Sequence, residues 1–157
     1  MDTTDLSTAF RNLLAAADDP ARAAAPPPGE WDADQVLAHV TLVNAITISA
    51  VCSVASGTLT TYDNRIASDT WTIGRVVELV GRDGLLRRIE RQGEALVALA
   101  SDLSTGELAT LVPTILVSNG ALMVDDQLPL SGLVDGLAQS ELPGHAEQLR
   151  ALAQRRS

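Results

Sequence analysis

The sequence predicts a mainly α-helical protein: an up-down four-helix bundle with a small β-hairpin before the last helix. Three observations lead there. Apolar residues make up 46% of the chain but aromatics only 3%, so the core must be built from interdigitating Leu, Ala and Val, which suits packed helices. Four segments repeat their apolar residues at helical spacing. A single Asn-Gly pair, Asn119-Gly120, sits between two apolar, β-branched-rich runs. At 157 residues the chain is most simply one domain, 1–157, able to bury roughly 70% of its extended-chain surface.

The first helix is expected over residues 4–18, where Leu6, Phe10, Leu13 and Leu14 form a stripe that ends at Asp-Asp-Pro20. Residues 19–30 follow as a loop whose three consecutive prolines favour an extended polyproline strap. A second helix starts near Trp31 with Asp32 as its N-cap and Trp31 as a hydrophobic staple. It runs to about Ser56 and stops at Gly57. Residues 58–70 are polar and irregular. Their densest group of hydrogen-bonding side chains is Tyr62, Asp63, Asn64 and Arg65, which reads either as a simple turn or as a loop over a pocket. In the second case Tyr62, Asn64 and Arg65 are candidate substrate-binding residues.

A third helix is expected over about 72–100, with Arg82, Arg87, Arg88 and Arg91 mainly on its wet side. A bend is expected where Gly81 and Gly84 each weaken it by about 1 kcal/mol relative to Ala. Within residues 110–128 the Asn-Gly pair signals a hairpin, since a type I′ turn needs positive φ at both central residues. Two strands are marginal alone, so the hairpin must lie on the helices or on another subunit. The last helix begins near Pro129 or Ser131 and is interrupted at Pro143-Gly144.

Charge narrows the function classes. The net charge is −9 and all eleven cations are arginine. The arginine clusters, including Arg155-Arg156, are interrupted by or close to acids and read as solvated faces, so no nucleic-acid surface is expected. One cysteine excludes an intramolecular disulfide, and Cys52, in an apolar helical run, reads as a small buried residue. The N-terminus lacks a basic region followed by an apolar block. Residues 36–56 are apolar enough to raise a membrane span, yet His39 and Asn44 interrupt them and no Arg flanks them. A buried helix, no membrane partner and a cytoplasmic protein are expected.

The chain has two histidines. His39 lies among Val36, Val40, Val43 and Ile46 on the apolar face of the second helix, where a lone imidazole is usually a hydrogen-bonded core residue. His145 follows Glu141 by four residues in the last helix, a spacing that brings side chains within about 5–6 Å. If the two helices pack together, His39, Glu141 and His145 form a three-ligand set that suits Zn²⁺ or a neighbouring first-row divalent ion. Open positions would remain for water or substrate, the pattern of catalytic sites. Such a centre favours deprotonated water or thiol at neutral pH. Pro143 stands between Glu141 and His145, and its ring clashes with the carbonyl of Gln139 in an unbroken helix. A kink or restart there is expected, with the i,i+4 geometry at stake; a restart would place His145 near a helix N-terminus, where the dipole favours a neutral ring.

The run Trp31-Asp-Ala-Asp-Gln-Val-Leu-Ala-His39 resembles the first-histidine motif of DinB-like proteins, the superfamily of mycothiol-dependent maleylpyruvate isomerase and bacillithiol transferases. Glu141-Leu-Pro-Gly-His145 resembles their last-helix motif in its ExxxH form. The order of elements agrees over nearly the whole chain. The resemblance implies a DinB-like four-helix bundle, often a homodimer, with Zn²⁺ or Ni²⁺ at His39, Glu141 and His145. It also implies a low-molecular-weight thiol of the mycothiol type activated toward a small electrophilic substrate by transfer or isomerisation. Hydrolysis through activated water is the related option. The alternative is a non-catalytic bundle that binds a small molecule or protein, with both histidines structural; a hairpin that dimerises by edge pairing is compatible with either.

Overall fold

The structure, a computed structural model, describes residues 1–18, 26–118 and 120–154. In chain order it contains α1 (Thr4–Ala17), α2 (Ala33–Ala55), β1 (Tyr62–Asp63), a 3₁₀ turn (Arg65–Ser68), α3 (Thr70–Asp102), α4 (Thr105–Leu108), β2 (Leu111–Ser118) and β3 (Ala121–Pro129). The last helical run is α5 (Leu130–Gly136), a π-helical turn (Leu137–Glu141) and α6 (Leu142–Gln154). The fold is therefore mostly helical with one small sheet. The proline strap expected over 19–30 lies largely outside the described residues, as do Asn119 and Arg155-Arg156.

The helices pack as their apolar stripes dictate. Leu6, Phe10 and Leu13 of α1 are buried against α3 and α6, and α2 lies along α3 and also meets α6. One contiguous aliphatic core results, from Leu6 through Leu152. Helix α2 is long and apolar enough by length and composition to cross a membrane, but 61% of its most apolar window is buried inside the fold; packing against its neighbours accounts for that apolarity. Its outer face carries Cys52, which is exposed rather than buried. An apolar neighbourhood in sequence does not decide which side of a helix a residue occupies, and Cys52 falls on the outer one.

Helix α3 breaks where its glycines suggested. Gly81 has φ +65° and ψ 164° inside the helix, a conformation that costs glycine little and other residues more. Just past the break, Arg82 donates to the carbonyl of Ala17 at 2.9 Å and pairs with Asp34. One guanidinium thus ties the C-terminus of α1 to the first turn of α2, so Arg82 is half-buried rather than simply wet. Gly93 marks the closest approach of α1: a Cβ there would lie 2.8 Å from Cγ of Phe10.

The hairpin forms as expected, with Ser118 opposite Ala121 and Gly120 at φ +74°. It also recruits a third strand from the polar loop. Tyr62 and Asp63 pair in parallel with Thr114 and Ile115, giving the order β1-β2-β3. Val112 and Thr114 turn into the core, so the sheet lies on the helices. Strand β3 is an edge, and Asp125 and Asp126 lie on it, charges of the kind that discourage edge pairing.

Candidate metal centre

His39 is held by the start of α2. The Asp32 carboxylate accepts from the Gln35 backbone N–H at 2.8 Å, and the Gln35 side chain accepts from the Asp32 N–H at 2.9 Å. This reciprocal box satisfies two otherwise unpaired donors and fixes where the helix begins. His39 then falls on the second turn, facing inward and 5% exposed. Trp31, just outside the helix, lays its ring 4.8 Å from the imidazole.

The 3₁₀ turn orients that imidazole. Nδ1 of His39 lies 2.7 Å from the carbonyl oxygen of Ala67. A carbonyl can only accept, so Nδ1 carries the hydrogen, and in the neutral ring the lone pair is left on Nε2. Nε2 is 2.8 Å from Oε1 of Glu141. His145 repeats the arrangement: its Nδ1 faces the amide oxygen of Gln148 at 3.0 Å, and its Nε2 lies 3.3 Å from the same Oε1. The two imidazole centroids are 4.7 Å apart.

The last helical run brings Glu141 and His145 together despite Pro143. The Leu142 N–H reaches back to the Leu137 carbonyl, five residues away, so the turn before the proline is wider than an α-turn. The widening relieves the clash between the Pro143 ring and the Gln139 carbonyl. Pro143 follows directly, inside the continuous helical run, as the second residue of α6. The expected restart does not occur: the helical run continues through Gly136, Leu137 and Leu142 in right-handed helical conformation, with the π turn taking up the proline, and Glu141 still pairs with His145. Single π turns of this kind often occur at functional sites.

The three side chains form a cluster that could hold a divalent ion. One ligand atom from each of His39, Glu141 and His145 lies within 4.8 Å of the others. Tetrahedral bonds of about 2.0–2.1 Å place ligand atoms about 3.3 Å apart; the two histidine–Glu141 distances of 2.8 and 3.3 Å are near that spacing, while the widest pair, at up to 4.8 Å, would have to close by about 1.5 Å. Each imidazole is steered by a hydrogen bond on its other nitrogen, as metal-binding histidines are, so that both Nε2 atoms face the same Glu141 oxygen. Burial alone pushes the Glu141 carboxyl up, but hydrogen bonds from His145 and His39, with their charges, outweigh it and hold the group far below the usual carboxylate range.

The cluster opens into a cavity of about 240 Å³, lined also by Trp31, Ser68, Ser118, Ser140 and Gln148. A second cavity, of about 310 Å³ and mostly apolar, adjoins it and shares Val117, Ser118, Ser140 and Glu141 with it. The loop residues considered as substrate contacts divide between these places and solvent. Tyr62 and Asn64 line the second cavity. Tyr62 is buried, and burial pushes the pKa of its hydroxyl up, opposed by Thr47 and helped by the nearby Glu141 charge. The Asn64 amide pairs with strand β2, donating to the Val117 carbonyl at 3.0 Å and accepting from the Val117 N–H at 2.8 Å. Arg65 is exposed and clasped to Asp63 at 2.6 Å, outside the lining of both cavities.

Sequence reasoning passed over Ala67, Gln148 and Ser140. A backbone carbonyl leaves no mark in sequence, but Gln148 was detectable as the residue three positions beyond His145 on the same helix face. No family model, curated protein or solved structure matches the chain.

Proposed function

We propose that this chain is a DinB-like four-helix-bundle enzyme that holds a divalent metal, Zn²⁺ or Ni²⁺, at His39, Glu141 and His145. Its reaction is transfer, isomerisation or hydrolysis of a small electrophile by a low-molecular-weight thiol or water. One observation supports this reading: three potential ligand atoms from two distant segments come together, with each imidazole oriented by an acceptor behind it. An electron-rich cluster of that kind needs a cation or protons at its centre. Held there, a divalent ion supplies a formal +1 site that favours the deprotonated form of a thiol or water.

The chain's own residues have separable tasks in this scheme. Ala67 and Gln148 hold the ring tautomers, Trp31 covers one face of His39, and Ser140 and Ser118 offer hydroxyls to a bound substrate. Three protein ligands leave room for a substrate atom on the cavity side. The resemblance carried by the two motifs supports the same ligand set and adds a homodimer and a cytoplasmic setting to the proposal.

A second reading is favoured by one feature, the 2.8 Å contact between His39 and Glu141. That is a hydrogen-bond length, and two imidazolium rings on one carboxylate also carry a formal +1. Here the bundle is a binding or interaction protein and the triad is structural. Thermal melting with added Zn²⁺ separates the two. The metal reading predicts stabilisation that His145→Ala abolishes, whereas a structural triad leaves the melting temperature unchanged by metal.

A further inference from the structure

The second cavity places an apolar chamber directly beside the triad. Its walls are Val43 on α2, Leu116 on β2, Met123 and Leu128 on β3, and Leu133 and Leu137 on the last helical run. Gly136 forms part of its floor, and a Cβ built there meets no heavy atom within 4 Å. Gly136 is exposed, and a side chain there would have room along that wall of the chamber. Glu141 belongs to both cavities, so the ligand oxygen shared by the histidines stands on the boundary between the polar and apolar chambers.

Charge complements the shape. No arginine lines either cavity among the described residues, and the titratable groups there are the triad and Tyr62. A phosphorylated, nucleotide-bearing or dicarboxylate substrate would find no cation except the metal centre itself, in a chain of net charge −9. A molecule with one donor atom and an apolar body meets no such penalty. Transfer of its body from water to the chamber is favourable at about 25 cal/mol per Å².

Resting on the metal reading above, we propose that the site takes an amphiphilic small molecule. Its single polar, metal-seeking end lies among His39, Glu141 and His145, and its aliphatic body fills the chamber bounded by the hairpin and Gly136. The substrate class is thus an apolar thiol or an apolar electrophile rather than a polyanion.

The test uses zinc-loaded full-length protein and unbranched alkanethiols of three to six carbons, with 2-mercaptoethanol as the short polar control, by calorimetry. Affinity is expected to rise about fourfold per methylene, the factor corresponding to about 0.8 kcal/mol per buried CH₂. Gly136→Val, which fills the floor, and Met123→Trp, which narrows the opposite wall at an exposed position, should each flatten that rise. Bound zinc and 2-mercaptoethanol affinity should stay unchanged in both. Having two variants on different elements guards against misfolding of either, and melting curves identify a misfolded one. Equal zinc with affinity independent of chain length overturns the chamber proposal while leaving the metal centre intact, as does a chain-length dependence that both folded variants retain. Failure of the wild-type protein to take up either zinc or nickel overturns the metal reading and this proposal with it.

Discussion

Replacing Asn64 with alanine separates a strand-pinning residue from a substrate contact. The Asn64 side chain is 6% exposed and bonds both backbone groups of Val117. It does so where the β2–β3 register shifts between Leu116 and Val117, a point at which the ladder leaves backbone groups in need of partners. Alanine removes two hydrogen bonds and leaves a half-buried N–H and C=O unpaired. At about 1 kcal/mol for each bond, with more for the stranded groups, the loss is about 2–4 kcal/mol. Unfolding entropy near 2.1 cal/mol/K per residue gives a chain of 157 residues about 0.3 kcal/mol/K, so the melting temperature should fall by about 6–12 °C. Calorimetric unfolding of the metal-free protein reads this directly, and metal content measured in parallel should match wild type. An unchanged melting temperature would refute the pinning role, and loss of bound metal at full stability would point to a function at the site instead.

Three further substitutions probe the scaffold. Asp32→Ala removes the cap that positions His39 and should cost about 1 kcal/mol, or about 3 °C by thermal melting. Gly93→Ala drives a methyl group into the Phe10 ring and should destabilise by about 1–3 kcal/mol in urea titration, against the mild gain expected for this exchange in an open helix. Asp69→Asn concerns acid stability. Hydrogen bonds from Thr72 hold the Asp69 carboxyl below its ordinary 3.8, so its contribution is present above that value and fades as pH falls through the lower folded value. Asparagine still caps α3, so stability near neutrality should be nearly unchanged while acid unfolding below about pH 4 becomes shallower.

Features with local causes were legible in the sequence. Asp32 as a cap, Gly57 as a stop, the weak point at Gly81 and the Asn-Gly hairpin each follow from the chemistry of one or two neighbouring residues, and the structure reproduces them. Features set by distant partners were not legible. Strand β1 is two residues long and exists because β2 offers it an edge, so no alternation could announce it. Arg82 looked like surface charge because Ala17 and Asp34 are brought to it only by the fold. The side of α2 that Cys52 occupies is not legible, because that helix is apolar on most of its circumference and its periodicity is weak.

The candidate site divides the same way. Its three side chains were identifiable from ExxxH and the capped helix carrying His39, but the proline made their meeting doubtful. The π turn that resolves this is a backbone adjustment, reached by shifting the Leu142 N–H to a carbonyl five residues back. The carbonyl of Ala67, which sets the His39 tautomer, comes from a loop whose side chains had drawn attention instead.

The most direct test of the metal centre is elemental analysis of protein purified without chelator, wild type beside His39→Ala, with melting curves confirming that the variant is folded. The metal reading predicts close to one equivalent of zinc or nickel per chain in wild type and a large loss in the variant. Equal, near-zero metal in both would contradict it and leave Glu141 as a carboxylate held between two structural histidines.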